Sequence, residues 1–235
     1  LIYCSITGYG QTGSYKDRAG HDINYLALSG IAGHSGRLES GPPAMGIQIA
    51  DVAGGSMHAL VAILAAVIER QSSGQGQYID ISMTDCSVTL NNMAAAASLA
   101  AGVDAQPESG HLNGGTFYDY HQTQDGRYLS IGSLEPQFMQ GLAQALQLPV
   151  LLEKGSSLDA QDQKEVKAAI QEKIRSKTLN EWQTIFAALD VCVEPVLHLD
   201  EALTSQLAQE RGWVVHVPVK AGEQETEPQL ACPIK

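Results

Sequence analysis

Three ionisable side chains stand where proton-moving chemistry is often placed, at the ends of regular elements and beside glycines. They are His21 in Gly20-His21-Asp22, Asp51 in Ala50-Asp51-Val52-Ala53-Gly54-Gly55 and Glu135 in Ser133-Leu134-Glu135-Pro136. An imidazole and two carboxylates suit general acid–base work. Each also has a plainer reading. Asp51 could be only a helix N-cap, a position that favours Asp. His21 could be a structural histidine with a ring nitrogen tied to backbone, and Glu135 a solvated turn residue. Chemistry at Asp51 is favoured by Gly54-Gly55 in the first turn of a helical pattern, because glycine costs about 1 kcal/mol relative to alanine inside a helix. A helix start with glycines offers open backbone N–H groups and positive potential, suited to an enolate oxygen or to an ionised carboxylate.

Other motifs carry less. Gly8-Tyr9-Gly10-Gln11-Thr12-Gly13 fits the letters GxGxxG, but Ser14-Tyr15-Lys16-Asp17 does not open a helix, so a dinucleotide loop is not expected. No Walker loop is present. Cys4, Cys86, Cys192 and Cys232 are scattered without CxxC spacing, and His58 and His111 have no ligand-like partners, so neither a metal site nor a disulfide framework is expected. Met45, Met57 and Met83 read as packing residues.

These groups must be positioned by elements that the rest of the chain can build. With 235 residues and 44% hydrophobic composition it can form one large domain or two modest ones. The 14 basic and 26 acidic residues give a net charge of -12, which sets nucleic acid aside as a partner and leaves open a local basic pocket for a small phosphorylated ligand. The longest apolar stretch, Leu60 to Ile68, is too short to cross a bilayer, and no basic-then-apolar segment stands at the start. A reducing, cytoplasmic setting without a membrane is therefore the expectation. Leu1 has no initiator Met before it, and Pro233-Ile234-Lys235 stops without a polar tail, as in a piece of a longer protein.

Residues 1–6 read as a strand followed by the glycine-rich loop 7–13. His21 opens a short helix closed by Gly30. After the irregular stretch 36–46, Asp51 heads a helical pattern to Arg70 that is apolar on nearly every face, as for a helix buried against a sheet. Residues 78–83 alternate like a strand, and an alanine-rich helix runs from Asp85 to about Ala101. Residues 1–90 thus read as an α/β unit, which the resemblance described below makes part of a large domain, with 91–115 as linker, the polar stretch 102–115 in particular. In 116–198, strands at 118–123 and 128–131 are joined by the Asp125-Gly126 turn. Amphipathic helices follow at 138–146, 163–175 and 179–189, the last with a Thr178 N-cap and Glu181 three residues on. A helix over 199–209 and a strand over 213–219 belong to a closing segment, 199–235, that returns towards the first domain.

Gly20-His21-Asp22-Ile23-Asn24-Tyr25-Leu26-Ala27-Leu28-Ser29-Gly30 closely resembles the corresponding segment of α-methylacyl-CoA racemases, of the family III CoA-transferase (CaiB/BaiF) superfamily. The resemblance continues in order through residues 48–55, 74–80, 132–138 and 190–196, and so covers almost the whole chain. The His-Asp-Ile-Asn-Tyr word is its most specific part. It implies an α/β fold with a Rossmann-like large domain, here partial, and a smaller α+β domain, in an interlocked homodimer. It also implies that the family's N-terminal segment, which supplies much of the CoA-binding surface, precedes this chain's start. By the same resemblance His21 and Asp51 are the two proton carriers that invert the α-carbon of a 2-methylacyl-CoA through an enolate. Glu135 orients His21, and Gly20, Asp22, Tyr25, Gly54 and Gly55 line the substrate. The partner implied is an acyl-CoA thioester, and no metal, nicotinamide or pyridoxal cofactor is called for. Two alternatives stand beside this: a CoA-transferase with Asp51 as nucleophile, and a non-catalytic interaction module.

Overall fold

A computed structural model describes residues 1–219 and 226–234. It is a mixed α/β structure whose described strands form three small sheets. The apolar opening segment is β1 (Tyr3–Thr7), which pairs in parallel with β2 (Tyr78–Ser82), Ile6 lying opposite Ile81. Parallel neighbours need a crossover. It consists of α1 (Asp22–Leu28), a 3-10 turn (Ala32–His34), and a π-helical turn (Ala50–Met57) that runs without a break into α2 (His58–Ser73). Gly74, at φ +70°, ends α2 in the left-handed conformation that glycine adopts without penalty. After β2 come α3 (Met83–Leu90), whose N-cap Ser82 accepts the Asp85 N–H at 3.2 Å, and α4 (Asn92–Ala101). The glycine loop after β1 leads into no helix until Asp22.

Three expectations change here. The helix after Asp51 is not buried: Leu60, Val61, Leu64 and Ile68 are 54–67% exposed, and of α2 only Ala59 and Ala66 are buried. The two-stranded sheet beside it is too narrow to cover a helix that is apolar all round. The helical run is also longer than the apolar stretch suggested. Ala50–Ser73 spans 24 residues at mean hydropathy 1.8, long and apolar enough to cross a membrane by those two measures, and here it packs on β1, β2 and α3. Glycine, serine and histidine interrupt the apolar run in the sequence but not the helix. Finally, the alanine-rich helix expected from Asp85 to about Ala101 is present but divided at Asn91 into α3 and α4, with Met93 and Leu99 exposed on α4.

The main core belongs to the second unit. β3 (Asp119–Gln122) and β4 (Tyr128–Ile131) form the expected hairpin, with Gly126 at φ +76° in its turn, and β5 (Val193–Pro195) adds antiparallel to β4. Four amphipathic helices cover this sheet: α5 (Pro136–Leu146), α6 (Val150–Lys154), α7 (Ala160–Ile174) and α8 (Leu179–Phe186). Phe117, Leu129, Leu142, Leu146, Ile170 and Trp182 are fully buried between them. The Trp182 indole N–H finds the Ile174 carbonyl at 2.8 Å, which removes the cost of burying it. Thr178 and Glu181 form the expected capping box, the Thr178 N–H donating to the carboxylate at 2.8 Å.

The single helix expected over 199–209 is two, α9 (Leu199–Thr204) and α10 (Gln206–Arg211). Ser205 breaks them: its backbone is extended, and its hydroxyl caps α10 by accepting the Ala208 N–H at 3.1 Å. β6 (Val214–Pro218) then pairs with β7 (Thr226–Leu230), a strand the sequence pattern did not announce.

Candidate active site

The loop between β1 and α1 is fastened to the β2–α3 corner. Thr84 donates both its N–H and its hydroxyl to the Gly8 carbonyl, at 3.1 and 2.7 Å, and the Gln11 N–H meets the Asp80 carboxylate at 2.9 Å. Tyr25 of α1 lies between Gly8 and Gly20 and donates its hydroxyl to the Gly20 carbonyl at 2.6 Å. A Cβ on Gly20 would come within 2.7 Å of that ring, so glycine is needed for the approach. Burial first, then the charges of Tyr9, Asp51 and Asp22, holds the Tyr25 phenol above its ordinary pKa, and it remains a neutral donor.

That contact fixes the peptide just ahead of His21. His21 is the extended N-cap of α1, its N–H donating to the Asn24 side-chain oxygen at 3.0 Å, and its side chain is exposed. Among the described residues no acceptor meets the amides of Asp22 and Ile23 in the first turn of α1. Such free amides are the usual state of a helix start and give it affinity for negative charge.

Asp22 is 5% exposed, and its carboxylate turns away from solvent to the next helical segment. One oxygen, Oδ1, accepts the Ala50 N–H at 2.6 Å and the Asp51 N–H at 3.0 Å. The Val52 N–H goes to the Gln48 carbonyl at 3.0 Å. The open N–H groups expected at Asp51 are therefore occupied, and the free ones are at the start of α1. Asp51 is not an N-cap either: Ile49 holds that place, and Asp51 is the half-buried second residue of the π-turn. Gly54 and Gly55 are buried and have a packing reason. A Cβ on Gly54 would meet the Met83 carbonyl oxygen at 3.1 Å and the Ser87 hydroxyl at 3.2 Å, and one on Gly55 the Met83 Cγ at 3.0 Å.

The structure thus brings Gly20, His21, Asp22, Tyr25, Asp51, Gly54 and Gly55 into one region around α1 and the π-turn. Glu135 stands apart. It is the exposed N-cap of α5, with Pro136 behind it, on a turn held by the Gly132 N–H to the Cys192 carbonyl at 2.9 Å and by the Ser133 hydroxyl to the Val191 carbonyl. Among the described residues no ion pair or hydrogen bond joins Glu135 to His21 or Asp51. It lies near Cys192, whose thiol is pushed up by burial and then by Glu135 and Asp190.

Reasoning from motifs missed a cleft of about 800 Å³ between the loop 34–45 and the second unit, bordered by Arg37, Met45, Tyr118, Tyr120 and Cys192. None of the candidate catalytic or substrate-lining residues lines it; of the residues named in the sequence, Met45, read as a packing residue, and Cys192 do. Its wall is held by charges far apart in sequence. Arg37 donates to both Asp119 oxygens, at 2.7 and 2.5 Å, and to Glu108 at 3.1 Å, while Lys167 sits 3.0 Å from Asp119 and donates to the Gly114 carbonyl at 2.6 Å. Burial works to raise the Asp119 carboxyl, but Arg37, the Tyr120 amide and Lys167 hold it below the ordinary carboxylate value. The one sequence signal was an arginine among glycines and prolines.

The model of CoA-transferase family III matches residues 1–235. α-Methylacyl-CoA racemase of Mus musculus is 37% identical over 214 residues, covering 90% of this chain and 55% of that protein. The Homo sapiens protein of the same name is 34% identical over 232 residues, 98% and 59%. Succinyl-CoA:glutarate CoA-transferase of Homo sapiens is 28% identical over 222 residues, 92% and 50%. Among solved structures, a CaiB/BaiF family protein from Brucella suis superposes with TM-score 0.72 at 24% identity, covering 97% of this chain and 63% of that one. A Mycobacterium tuberculosis protein, Rv3272, gives 0.75 at 24% identity, covering 99% and 62%. The fold is that of these proteins, and the chain spans 55–59% of the length of the two racemases it matches.

Proposed function

This chain belongs to CoA-transferase family III, and from that premise we propose that it inverts the α-carbon of a 2-methylacyl-CoA thioester by proton transfer. One observation carries the reading: the Asp22 carboxylate ties the segment that begins at His21 to the turn that presents Asp51. Inversion needs a base on one face of the carbon and an acid on the other, with a planar enolate between them. In one direction neutral His21 takes the α-proton and the carboxylic acid form of Asp51 returns one to the opposite face; in the other direction the roles exchange. The α-proton of a thioester is a weak acid, so the enolate oxygen must be stabilised. The unpartnered amides of Asp22 and Ile23 suit that task, each such donor being worth about 3–4 kcal/mol. The reaction as proposed calls for no metal, nicotinamide or pyridoxal.

Glu135 enters as the group that orients His21. No bond links the two within one chain, so Glu135 is assigned to a second copy, in the interlocked homodimer that the resemblance implies. A cytoplasmic site of action belongs to the same proposal and rests on the four free cysteines. The CoA-transferase relatives favour a second reading, in which the half-buried Asp51 carboxylate attacks the thioester carbonyl, expels CoA as thiolate and holds the acyl group as a mixed anhydride. Incubation of either enantiomer of a 2-methylacyl-CoA in deuterated water separates the two. Racemisation with α-deuterium uptake and no acceptor acid is expected. Strict dependence on an acceptor acid, without deuterium uptake, would establish the transferase.

A further inference from the structure

We propose that Asp22 is a positioning residue: its buried carboxylate holds the first two amides of the π-helical turn and so sets where Asp51 stands relative to His21. The assignment rests on the racemase reading for its consequence, but its geometry is independent of it. A carboxylate 5% exposed is costly to bury unless its hydrogen bonds are made. Here one oxygen takes both the Ala50 and Asp51 amides, at 2.6 and 3.0 Å, from a residue 28 and 29 positions earlier in the chain. Asp22 adjoins His21, so a displacement of either segment is transmitted to the other through a single side chain.

The π-turn makes this grip matter. Runs of i→i+5 bonding are rare in globular proteins and recur at functional sites. Ordinary α-helix advances about 100° per residue, so a one-residue change of register between the turn and α2 would swing Asp51 about 100° around the axis. Two side chains brace the wide turn from within. The Ser56 hydroxyl donates to the Asp51 carbonyl at 3.2 Å, and the His58 Nδ1 lies 2.7 Å from the Ala53 carbonyl, each spanning five residues. Asp22 is the brace from outside, the one that refers the turn to α1. Gly54 and Gly55 let the turn lie against α3, which fixes its opposite side.

The test compares Asp22→Ala and Asp22→Asn by backbone amide hydrogen exchange and by α-deuterium uptake from a 2-methylacyl-CoA. In Asp22→Ala, exchange over residues 48–57 should rise about tenfold or more, while the α5 amides keep their protection. Turnover should fall by about tenfold or more with KM within about twofold, because an aiming defect acts on the chemical step. Asp22→Asn keeps an oxygen acceptor in the same place and should retain more of both, and it decides the matter if the alanine variant does not fold. Unchanged exchange over 48–57 would overturn the assignment. So would a raised KM at full turnover, which would make Asp22 a substrate-binding residue instead. Should the unaltered protein show no α-deuterium uptake, the racemase reading fails, and the amide exchange still judges the brace.

Discussion

Replacing Arg37 with alanine tests what holds the loop 34–45 against the second unit. The side chain makes two bonds to Asp119, at 2.7 and 2.5 Å, and one to Glu108 at 3.1 Å. Two ranges bracket its worth. An exposed ion pair contributes about 0.2–1 kcal/mol, whereas removing one partner of a buried pair costs about 3–5 kcal/mol. The Arg37 side chain is 41% exposed and belongs near the first range; Asp119 is 8% exposed and belongs near the second. Lys167 and the Tyr120 amide remain to satisfy part of the Asp119 charge. The expected loss is thus about 2 kcal/mol at neutral pH, or about 4–8 °C in midpoint for a chain of this size. The pH dependence follows from the Asp119 carboxyl being held below its ordinary value. Its contribution is complete above the ordinary carboxylate range and lost as pH falls through the depressed value. Urea unfolding at pH 7 and at pH 3, with Asp119→Asn and the double variant completing a cycle, reads the coupling directly. A change below about 0.5 kcal/mol at pH 7, or a difference between the proteins that does not shrink from pH 7 to pH 3, would refute this account.

His121 is 3% exposed and its pKa is lowered, chiefly by burial, against the opposing pull of the Phe117 carbonyl and Asp119. A depressed value means stability present above the ordinary histidine pKa and lost as pH falls towards the folded one, so melting midpoints should drop from pH 8 to pH 5. The drop should be smaller in His121→Gln; equal slopes would exclude His121 as its source. Gly54→Ala should cost more than Gly55→Ala, about 1–3 kcal/mol against less, by chemical denaturation. The first Cβ meets a backbone carbonyl at 3.1 Å and the second a flexible methionine side chain. The reverse order would show that the Met83 carbonyl does not set the helix approach.

What could be read in the sequence follows the range of the forces. The α5 and α8 helices, the Thr178 capping box and the Asp125-Gly126 hairpin are decided within a few residues, and there pattern and structure agree. Strand β4 occupies the same residues, 128–131, that its alternation predicts. The π-turn was invisible because what fixes it comes from Asp22 and from α3, both distant in sequence. Periodicity identified the apolar residues of α2 correctly, but not whether anything in the chain would cover them. The Arg37 cluster spans 71 and 82 residues, and no local pattern announces a partner at that distance.

In the proposed interlocked dimer, two features left open within a single chain would have the same geometric answer. Glu135 stands on the second unit with no bond to His21 or Asp51, although the proposed chemistry asks for a carboxylate at the imidazole. The outer face of α2 presents Leu60, Val61, Leu64 and Ile68 to solvent. Contiguous apolar surface of this kind is uncommon on a monomer and marks contact with another surface. The inner face of the same helical run is already committed, through Gly54 and Gly55 to α3 and through Ala50 and Asp51 to Asp22. In the proposed interlocked dimer, burial of that face and delivery of Glu135 would be consequences of one assembly step, so that the site would be complete only where the apolar surface is covered.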